Sequence, residues 1–226
     1  MGNQLLEFLN ELAENNSKEW MDANRDWYLD IKTYFLDEVT ELLKGLIPIE
    51  PGLEVLRPKD CIFRQNRDVR FSPDKRPYKT NLAGYFSTGG KKSPGPGYYL
   101  HVQPGESFLA GGIWMPPADV IKKIRQEIDY NGKELERVLL EPTFKKFFGE
   151  MEGEQLKTSP RDYESDHPYI QYLRYKSFIV SHPLTDKAIQ NGSYKQVALS
   201  GFSIMKPFHD FLAKALEDVE DGSKIL

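Results

Sequence analysis

The chain has 226 residues, of which 39% are hydrophobic, and it includes 13 Phe, 12 Tyr and 3 Trp. That content is sufficient for a folded core, and the length predicts one domain over residues 1–226. No apolar run approaches the ~20 residues that a membrane span needs, and the first residues lack the pattern of a signal peptide. The single cysteine, Cys61, excludes an internal disulfide. We therefore expect a cytoplasmic protein with no membrane partner.

Apolar residues in the N-terminal part repeat at the spacing of two helices. The first helix would bury Leu5, Phe8, Leu9 and Leu12. The second is predicted to begin near Ser17 and to end before Pro48, with Trp20 and Trp27 packed in the core. Asn16 or Ser17 is expected to cap this second helix.

A β region is predicted to follow. Val69 and Phe71 alternate with polar neighbours, so we expect a strand that anchors these two side chains in the core. The prolines Pro73 and Pro77 then predict a loop, and residues 82–87 predict a second short strand.

The clearest prediction is an antiparallel hairpin. Residues Tyr98–Gln103 alternate in polarity, and Pro104-Gly105 supplies the backbone angles of a tight turn. Phe108–Met115 would be the returning strand. Gly111-Gly112 within that strand predicts a bulge or a close backbone approach.

The C-terminal half is predicted to be rich in helices, two of which would meet at Asn131. A last strand is expected at Phe178–His182, followed by a helix over Tyr194–Leu216 with a kink at Pro207. The tail Asp218–Leu226 is expected to fray. This order predicts an α+β fold, in which a mainly antiparallel sheet is packed by N-terminal and C-terminal helices.

The most unusual feature is the charge of one segment. Residues 57–92 contain ten Lys or Arg and three Asp, a local charge of +7 in a chain whose net charge is −4. Six of these cations are concentrated between Arg64 and Lys79, and they repel one another unless negative groups compensate them. Asp68 and Asp74 can answer only two of the six.

The run from Arg64 to Lys79, RQNRDVRFSPDKRPYK, resembles the signature of a bacterial and fungal family catalogued as domain of unknown function twenty-four sixty-one. Residues Asn15–Trp20, Gly97–Tyr99 and Gly112–Pro116 add to the resemblance. It implies a single domain whose activity is not defined.

The chemistry of the segment favours anion recognition. Arginine offers a planar fork that pairs with phosphate or carboxylate, and lysine adds a point charge. We predict a pocket that binds a phosphorylated or other anionic small molecule. Its ligand-binding residues would be Arg64, Arg67, Arg70, Lys75, Tyr78 and Lys79. Should the pocket also catalyse a reaction, His101 is the acid–base candidate and Asp68 the residue that orients an arginine.

Two other interpretations stay open. Aromatic residues such as Phe71 and Tyr99 interleave with the cations, as in proteins that bind single-stranded nucleic acid, although a pI of about 5.7 disfavours a dedicated binding domain. Alternatively, the arginines form ion pairs that only stabilise the fold, and the protein is an interaction scaffold.

Other chemistries lack support in the sequence. The four histidines are scattered, so no metal and no cofactor are predicted. No Gly-x-Ser-x-Gly motif is present, and Cys61 is interpreted as a core residue. Gly89-Gly90-Lys91-Lys92-Ser93 resembles the end of a phosphate-binding loop, but a glycine stands where that motif needs lysine, so we interpret it as a basic loop. A monomer or weak oligomer is expected.

Overall fold

The computed structural model describes residues 1–217. Its helices are α1 Gly2–Glu14, α2 Lys18–Ala23, α3 Arg25–Leu46, α4 Pro58–Cys61, α5 Ala118–Leu139, α6 Pro142–Phe148, α7 Ile170–Leu173, α8 Asp186–Asn191 and α9 Tyr194–Lys214. Its strands are β1 Leu82–Phe86, β2 Gly97–Val102, β3 Phe108–Ile113 and β4 Phe178–Pro183. Short 3-10 helices cover Pro51–Val55 and Gly90–Lys92. The tail predicted at Asp218–Leu226 lies outside the described residues.

The four strands form one antiparallel sheet in the order β1-β2-β3-β4. Terminal helices pack on this sheet, so the α+β prediction is confirmed. In the first two strands, Leu82 lies opposite Val102 and Phe86 lies opposite Tyr98. Alternation along β2 buries Tyr98 and directs its neighbour Tyr99 to the less buried side of the sheet.

The described chain forms two compact units that are interleaved in sequence. The first contains Met1–Ser93, Gly97–Gly111 and Ser181–Lys206. The second contains Pro94–Pro96, Gly112–Val180 and the described residues from Pro207 onward. The single domain expected from the sequence stays a prediction.

The predicted hairpin is confirmed, since β2 and β3 are antiparallel neighbours. Gly105 in its turn has a φ of 74°, a conformation that glycine adopts without strain. Gly112 is the predicted close approach, because a Cβ atom there would lie 2.0 Å from the carbonyl oxygen of Phe178. The strand ends at Ile113, two residues earlier than expected.

The long second helix predicted from the sequence is in fact two helices. Asn24 interrupts it with a φ of −109° and a ψ of 26°, and its side chain donates a hydrogen bond to the carbonyl oxygen of Trp20. The Ser17 hydroxyl caps α2 by accepting from the Trp20 backbone N–H at 3.1 Å. The prediction that Trp20 and Trp27 are packed in the core is wrong in part: their ring centroids lie 5.8 and 5.3 Å from that of the buried Phe8, but both residues are only partly buried.

The prediction that two helices meet at Asn131 is confirmed. Within the span of α5, Asn131 has non-helical angles, a φ of −124° and a ψ of 24°, and two helical segments meet at this kink. Its side chain donates a hydrogen bond to the Glu127 carboxylate one turn earlier.

A buried carboxylate joins α3 to α9. Glu38 is 5% exposed and accepts hydrogen bonds from the Tyr194 hydroxyl at 2.5 Å and from the Lys195 ammonium at 2.9 Å. Burial and the negative charge of Glu38 raise the pKa of Tyr34 to about 12. Burial and the hydrogen bond to Glu38 also raise the pKa of Tyr194 well above its ordinary value.

This cluster makes stability sensitive to alkaline pH. A phenol whose pKa is higher in the folded than in the unfolded chain adds stability below the unfolded pKa and loses it as pH rises. We therefore expect the free energy of unfolding in urea to fall from about pH 10, the ordinary tyrosine pKa, towards pH 12. Tyr34→Phe should make this fall shallower. Tyr130→Phe is the matched control, because that ring is 72% exposed. A flat profile in the wild-type protein would contradict the prediction.

Candidate functional site

The predicted basic segment folds back on itself over residues 65–79, which we call the basic ribbon. The Arg67 N–H donates to the Pro77 carbonyl at 2.8 Å, and the Lys79 N–H donates to the Gln65 carbonyl at 2.9 Å. The Gln65 side chain is buried, and its amide donates to the carbonyl oxygens of Lys79 and Asn81. These contacts fix the base of the ribbon against the start of β1.

One asparagine ties the ribbon to the N-terminal helices. The Asn16 amide oxygen accepts from the Tyr78 N–H at 3.0 Å, and its NH₂ group donates to the Tyr78 carbonyl at 3.0 Å. The Asn16 side chain thus pairs with both backbone polar groups of Tyr78, as the backbone of a neighbouring strand would. Of the two caps left open by the sequence, Ser17 is the one that caps α2.

The prediction of a strand around Val69 and Phe71 is wrong. The structure assigns no strand to these residues, and the Ser72 N–H donates to the Val69 carbonyl across a turn. Phe71 is 94% exposed instead of anchored in the core. Alternating polarity made a strand only where a partner backbone was available.

Asp74 holds two arginines at the centre of the ribbon. Its carboxylate accepts from Arg67 Nη1 at 2.8 Å and from Arg76 Nη2 at 2.8 Å. Arg67 also donates to the Arg76 carbonyl, and its side chain is only 26% exposed. Hydrogen bonds from Arg76, followed by those from Arg67, hold the pKa of Asp74 far below its ordinary value.

Asp68 pairs with a third arginine. Arg70 Nε and Nη2 donate to the two Asp68 oxygens at 2.9 and 2.7 Å, a bidentate arrangement. These hydrogen bonds lower the pKa of Asp68 below its ordinary value. Lys75 Nζ donates to the Val69 carbonyl at 3.0 Å. The ribbon therefore binds most of its own cations internally.

A second group of cations surrounds Phe63, and we call Phe63, Arg64, Lys79 and Lys91 the Phe63 cluster. Lys79 Nζ lies 5.3 Å and Lys91 Nζ lies 5.2 Å from the centre of the Phe63 ring. Lys91 Nζ also donates to the Ile62 carbonyl at 2.7 Å. Partial burial, Arg64 and Lys91 lower the pKa of Lys79, in that order of importance.

Acidic residues do not neutralise this cluster within residues 1–217. No carboxylate there forms an ion pair with Arg64, Lys79 or Lys91. Arg64 is exposed and lies within electrostatic reach of Asp68, whose two oxygens already bind Arg70.

A hydrogen-bonded relay lies beside the cluster on β2. The ring of Phe63 contacts that of Tyr99, with centroids 6.2 Å apart, and the Tyr99 hydroxyl lies 3.0 Å from His101 Nδ1. Gln103 donates its NH₂ group to Glu106, so its oxygen faces His101 Nε2 at 3.1 Å. His101 consequently carries its proton on Nε2 and accepts at Nδ1. Burial lowers its pKa, which favours the neutral ring.

The structure separates the residues predicted for one site into two groups. Arg67, Arg70, Lys75 and Asp68 make internal contacts in the ribbon, while Tyr78 is bound through its backbone by Asn16. Arg64 and Lys79 belong to the Phe63 cluster, with His101 connected to it through Tyr99.

Two residues of this region were not predicted as site residues. Lys91 lies in the basic loop, and its hydrogen bond to the Ile62 carbonyl brings it to the site. Phe63 carries no sequence signal beyond its aromatic character, whereas Tyr99 stands out only as one of the aromatic residues that interleave with the cations. A positive charge of +7 over residues 57–92 was the one pattern that included Lys91.

The cysteine lies in the core. Cys61 is 2% exposed, and burial raises the pKa of its thiol to about 11, so the interpretation as a core residue is confirmed. A cavity of about 280 Å³ lies in the second unit, and none of the predicted site residues lines it.

Among the residues described, no helix has the length and apolar content to cross a membrane. Within the same residues, no three or more His, Cys, Asp and Glu side chains are grouped to hold a metal ion.

Comparison with known proteins gives one match. The model of a family described as "Conserved hypothetical protein (DUF2461)" matches residues 4–211. No curated protein and no solved structure matches the chain significantly.

Loss of Asp74 should loosen the ribbon. Asp74→Asn removes the charge that holds Arg67 and Arg76, so we expect faster hydrogen exchange of the Arg67 amide. Because the pKa of Asp74 is lowered, the wild-type ribbon should stay protected above about pH 4 and lose protection as pH falls further. Asp60→Asn, which breaks an exposed pair with Arg57 outside the ribbon, is the control. Equal exchange in both variants would show that Asp74 does not hold the ribbon.

Proposed function

The chain belongs to the family of conserved hypothetical proteins DUF2461, and we propose that this protein binds a phosphorylated or otherwise anionic ligand at the Phe63 cluster. The observation that supports the proposal is the placement of Lys79 and Lys91 over the Phe63 ring, beside Arg64, with no carboxylate of residues 1–217 paired to any of the three. The lowered pKa of Lys79 agrees with this placement. Its ammonium group is partly desolvated and is repelled by Arg64 and Lys91. An anion at this position would offset the repulsion and stabilise the charged ammonium group.

The donors suit a phosphoryl group. Arg64 can offer two parallel N–H donors, while Lys79 and Lys91 supply compact charges. Lys91 uses one N–H of its ammonium group in the hydrogen bond to the Ile62 carbonyl, and the group has two further N–H donors. A ligand oxygen can therefore bind without breaking the contact that positions Lys91.

The structural interpretation of the arginines applies to a different part of the same segment. Arg67 is partly buried and contacts Asp74 and the Arg76 carbonyl within the ribbon. We propose that it stabilises the ribbon and that the ribbon positions Lys79. Anion binding and the ion-pair network are then complementary roles of neighbouring residues.

The Tyr99–His101 pair supplies proton transfer if the ligand reacts. The Tyr99 hydroxyl can donate to the neutral His101 ring and, in turn, accept a proton from a bound ligand. His101 is thus the acid–base candidate through Tyr99. Asp68 would act as a positioning residue, since both its oxygens bind Arg70.

We also propose that the protein works in the cytoplasm as a monomer or weak oligomer. The buried, unreactive Cys61 thiol is compatible with a reducing compartment and needs no disulfide partner.

Thermal melts across a phosphate series test the binding proposal. For a Kd of about 1 mM, phosphate at about 10 mM adds roughly 1.4 kcal/mol of stability. That increase should raise the Tm of a chain of this size by about 3–5 °C. Arg64→Gln and Lys79→Gln should remove most of the gain. Lys92→Gln is the matched control, because Lys92 is an exposed neighbour of Lys91 on the same short helix.

Melting without phosphate separates the two roles. Arg64→Gln removes one of three repelling cations, so its Tm should equal or exceed that of the wild type. Arg67→Gln should lower the Tm, because it leaves Asp74 and the Arg76 carbonyl without that donor. Sodium chloride at matched ionic strength corrects for general salt effects. A wild type that responds no more to phosphate than to chloride would contradict the proposal.

A further inference from the structure

The tip of the basic ribbon presents a phenylalanine to solvent. Phe71 is 94% exposed, the highest exposed fraction among the large hydrophobic residues of the described chain. The Arg70 guanidinium lies 5.9 Å from the centre of its ring, and Asp68 holds that guanidinium in place through two hydrogen bonds. The guanidinium thus lies over the ring, which is otherwise accessible to solvent.

The loop that carries this ring is braced. Asp74 holds Arg67 and Arg76, both at 2.8 Å, and Lys75 donates to the Val69 carbonyl. A side chain on a braced loop loses less conformational entropy on binding than one on a loose loop. The arginines nearest the tip are thus paired with Asp68 and Asp74.

The Phe63 cluster and the exposed ring of Phe71 occupy different ends of the segment. Arg64 and Lys79, without a carboxylate partner in the described chain, lie at the base of the ribbon, and Phe71 lies at its tip. Phe71 comes six positions after Gln65, so the two ends are at most about 20 Å apart. A ligand that contacts both must be extended, carry negative charge and have a flat apolar face.

We propose that the anionic ligand is single-stranded nucleic acid, with one base stacked on Phe71 and backbone phosphates bound by Arg64, Lys79 and Lys91. This inference rests on the proposed function of the Phe63 cluster. Single strands expose the faces of their bases, whereas a duplex keeps them stacked inside. Stacking on an aromatic ring with phosphates in a basic groove is the usual way in which proteins hold single strands.

A single exposed ring favours a nucleic acid over an anionic membrane. One aromatic side chain is a weak anchor in a bilayer, whereas one ring is sufficient to stack one base. A strand can contact Phe71 at the tip and the cations of the Phe63 cluster at the base. The net charge of −4 predicts modest affinity.

Fluorescence anisotropy with a labelled oligothymidine of about ten nucleotides, within the site sizes of single-strand binders, tests the inference. Phe71→Ala should weaken binding about tenfold, the effect of losing one stacked base. Phe71→Tyr, which keeps an aromatic ring, should bind as the wild type does. Phe71→Leu, which is apolar but cannot stack, should resemble Phe71→Ala.

The dependence on salt tests the phosphate contacts. Three neutralised phosphates on a single strand predict a slope of about −2 for log K against log salt concentration. Arg64→Gln or Lys79→Gln should make the slope shallower by about 0.7. Phe71→Ala should leave the slope unchanged.

Several outcomes would overturn the inference. If phosphate raises the Tm through Arg64 and Lys79 but the oligonucleotide binds equally to Phe71→Ala, or does not bind, the inference fails and the proposed function stands. If neither phosphate nor oligonucleotide binds, both fail. Duplex binding as tight as single-strand binding excludes stacking. Phosphatidylserine vesicles test whether the tip contacts a membrane instead. If wild type and Phe71→Leu both bind the vesicles and neither binds the oligonucleotide, the tip contacts a membrane and the inference fails. Phe71→Ala should melt as the wild type does and keep its phosphate response, which excludes misfolding.

Discussion

Charge compensation within the basic ribbon is the constraint on which the arrangement of the site depends. Asp74 receives two arginines and Asp68 receives one, so two carboxylates organise three guanidinium groups. These contacts let a loop with two prolines keep a defined conformation without a regular strand. They also leave Lys79, at the base, facing Arg64 and Lys91 without an acidic partner within the described residues. Both the structural and the functional interpretation of the segment follow from its excess of cations over carboxylates.

Local patterns predicted the fold well where neighbouring residues form the structure. Alternation on both sides of Pro104-Gly105 was sufficient for the β2–β3 hairpin, since the turn sets the pairing. The same alternation at Val69 and Phe71 misled, because that segment has no partner strand and Phe71 is exposed. The break at Asn24 was missed because the apolar spacing continues through it; only the backbone angles of Asn24 divide the helix.

The site was predictable as a region but not as a geometry. Counting charges located the segment, yet it could not show which arginine meets which aspartate, since Asp74 binds Arg67 seven residues away as well as its neighbour Arg76. The role of Asn16 depends on Tyr78, 62 residues later, and spacing within a helix could not reveal it. Lys91 joins Phe63 through a long-range contact, so a local motif search discarded it. Contacts between residues distant in sequence therefore determine which side chains form the candidate site.

The pKa of Lys79 tests the central claim most directly, and it can be measured by NMR titration of the lysine side chains with and without phosphate. The account predicts a pKa below the ordinary value of about 10.4 in the free protein and a rise when phosphate is added. Arg64→Gln should produce part of that rise without phosphate, because it removes one of the repelling charges. Lys92 serves as the reference and should not respond. A Lys79 pKa at its ordinary value, or one that phosphate leaves unchanged, would contradict the account.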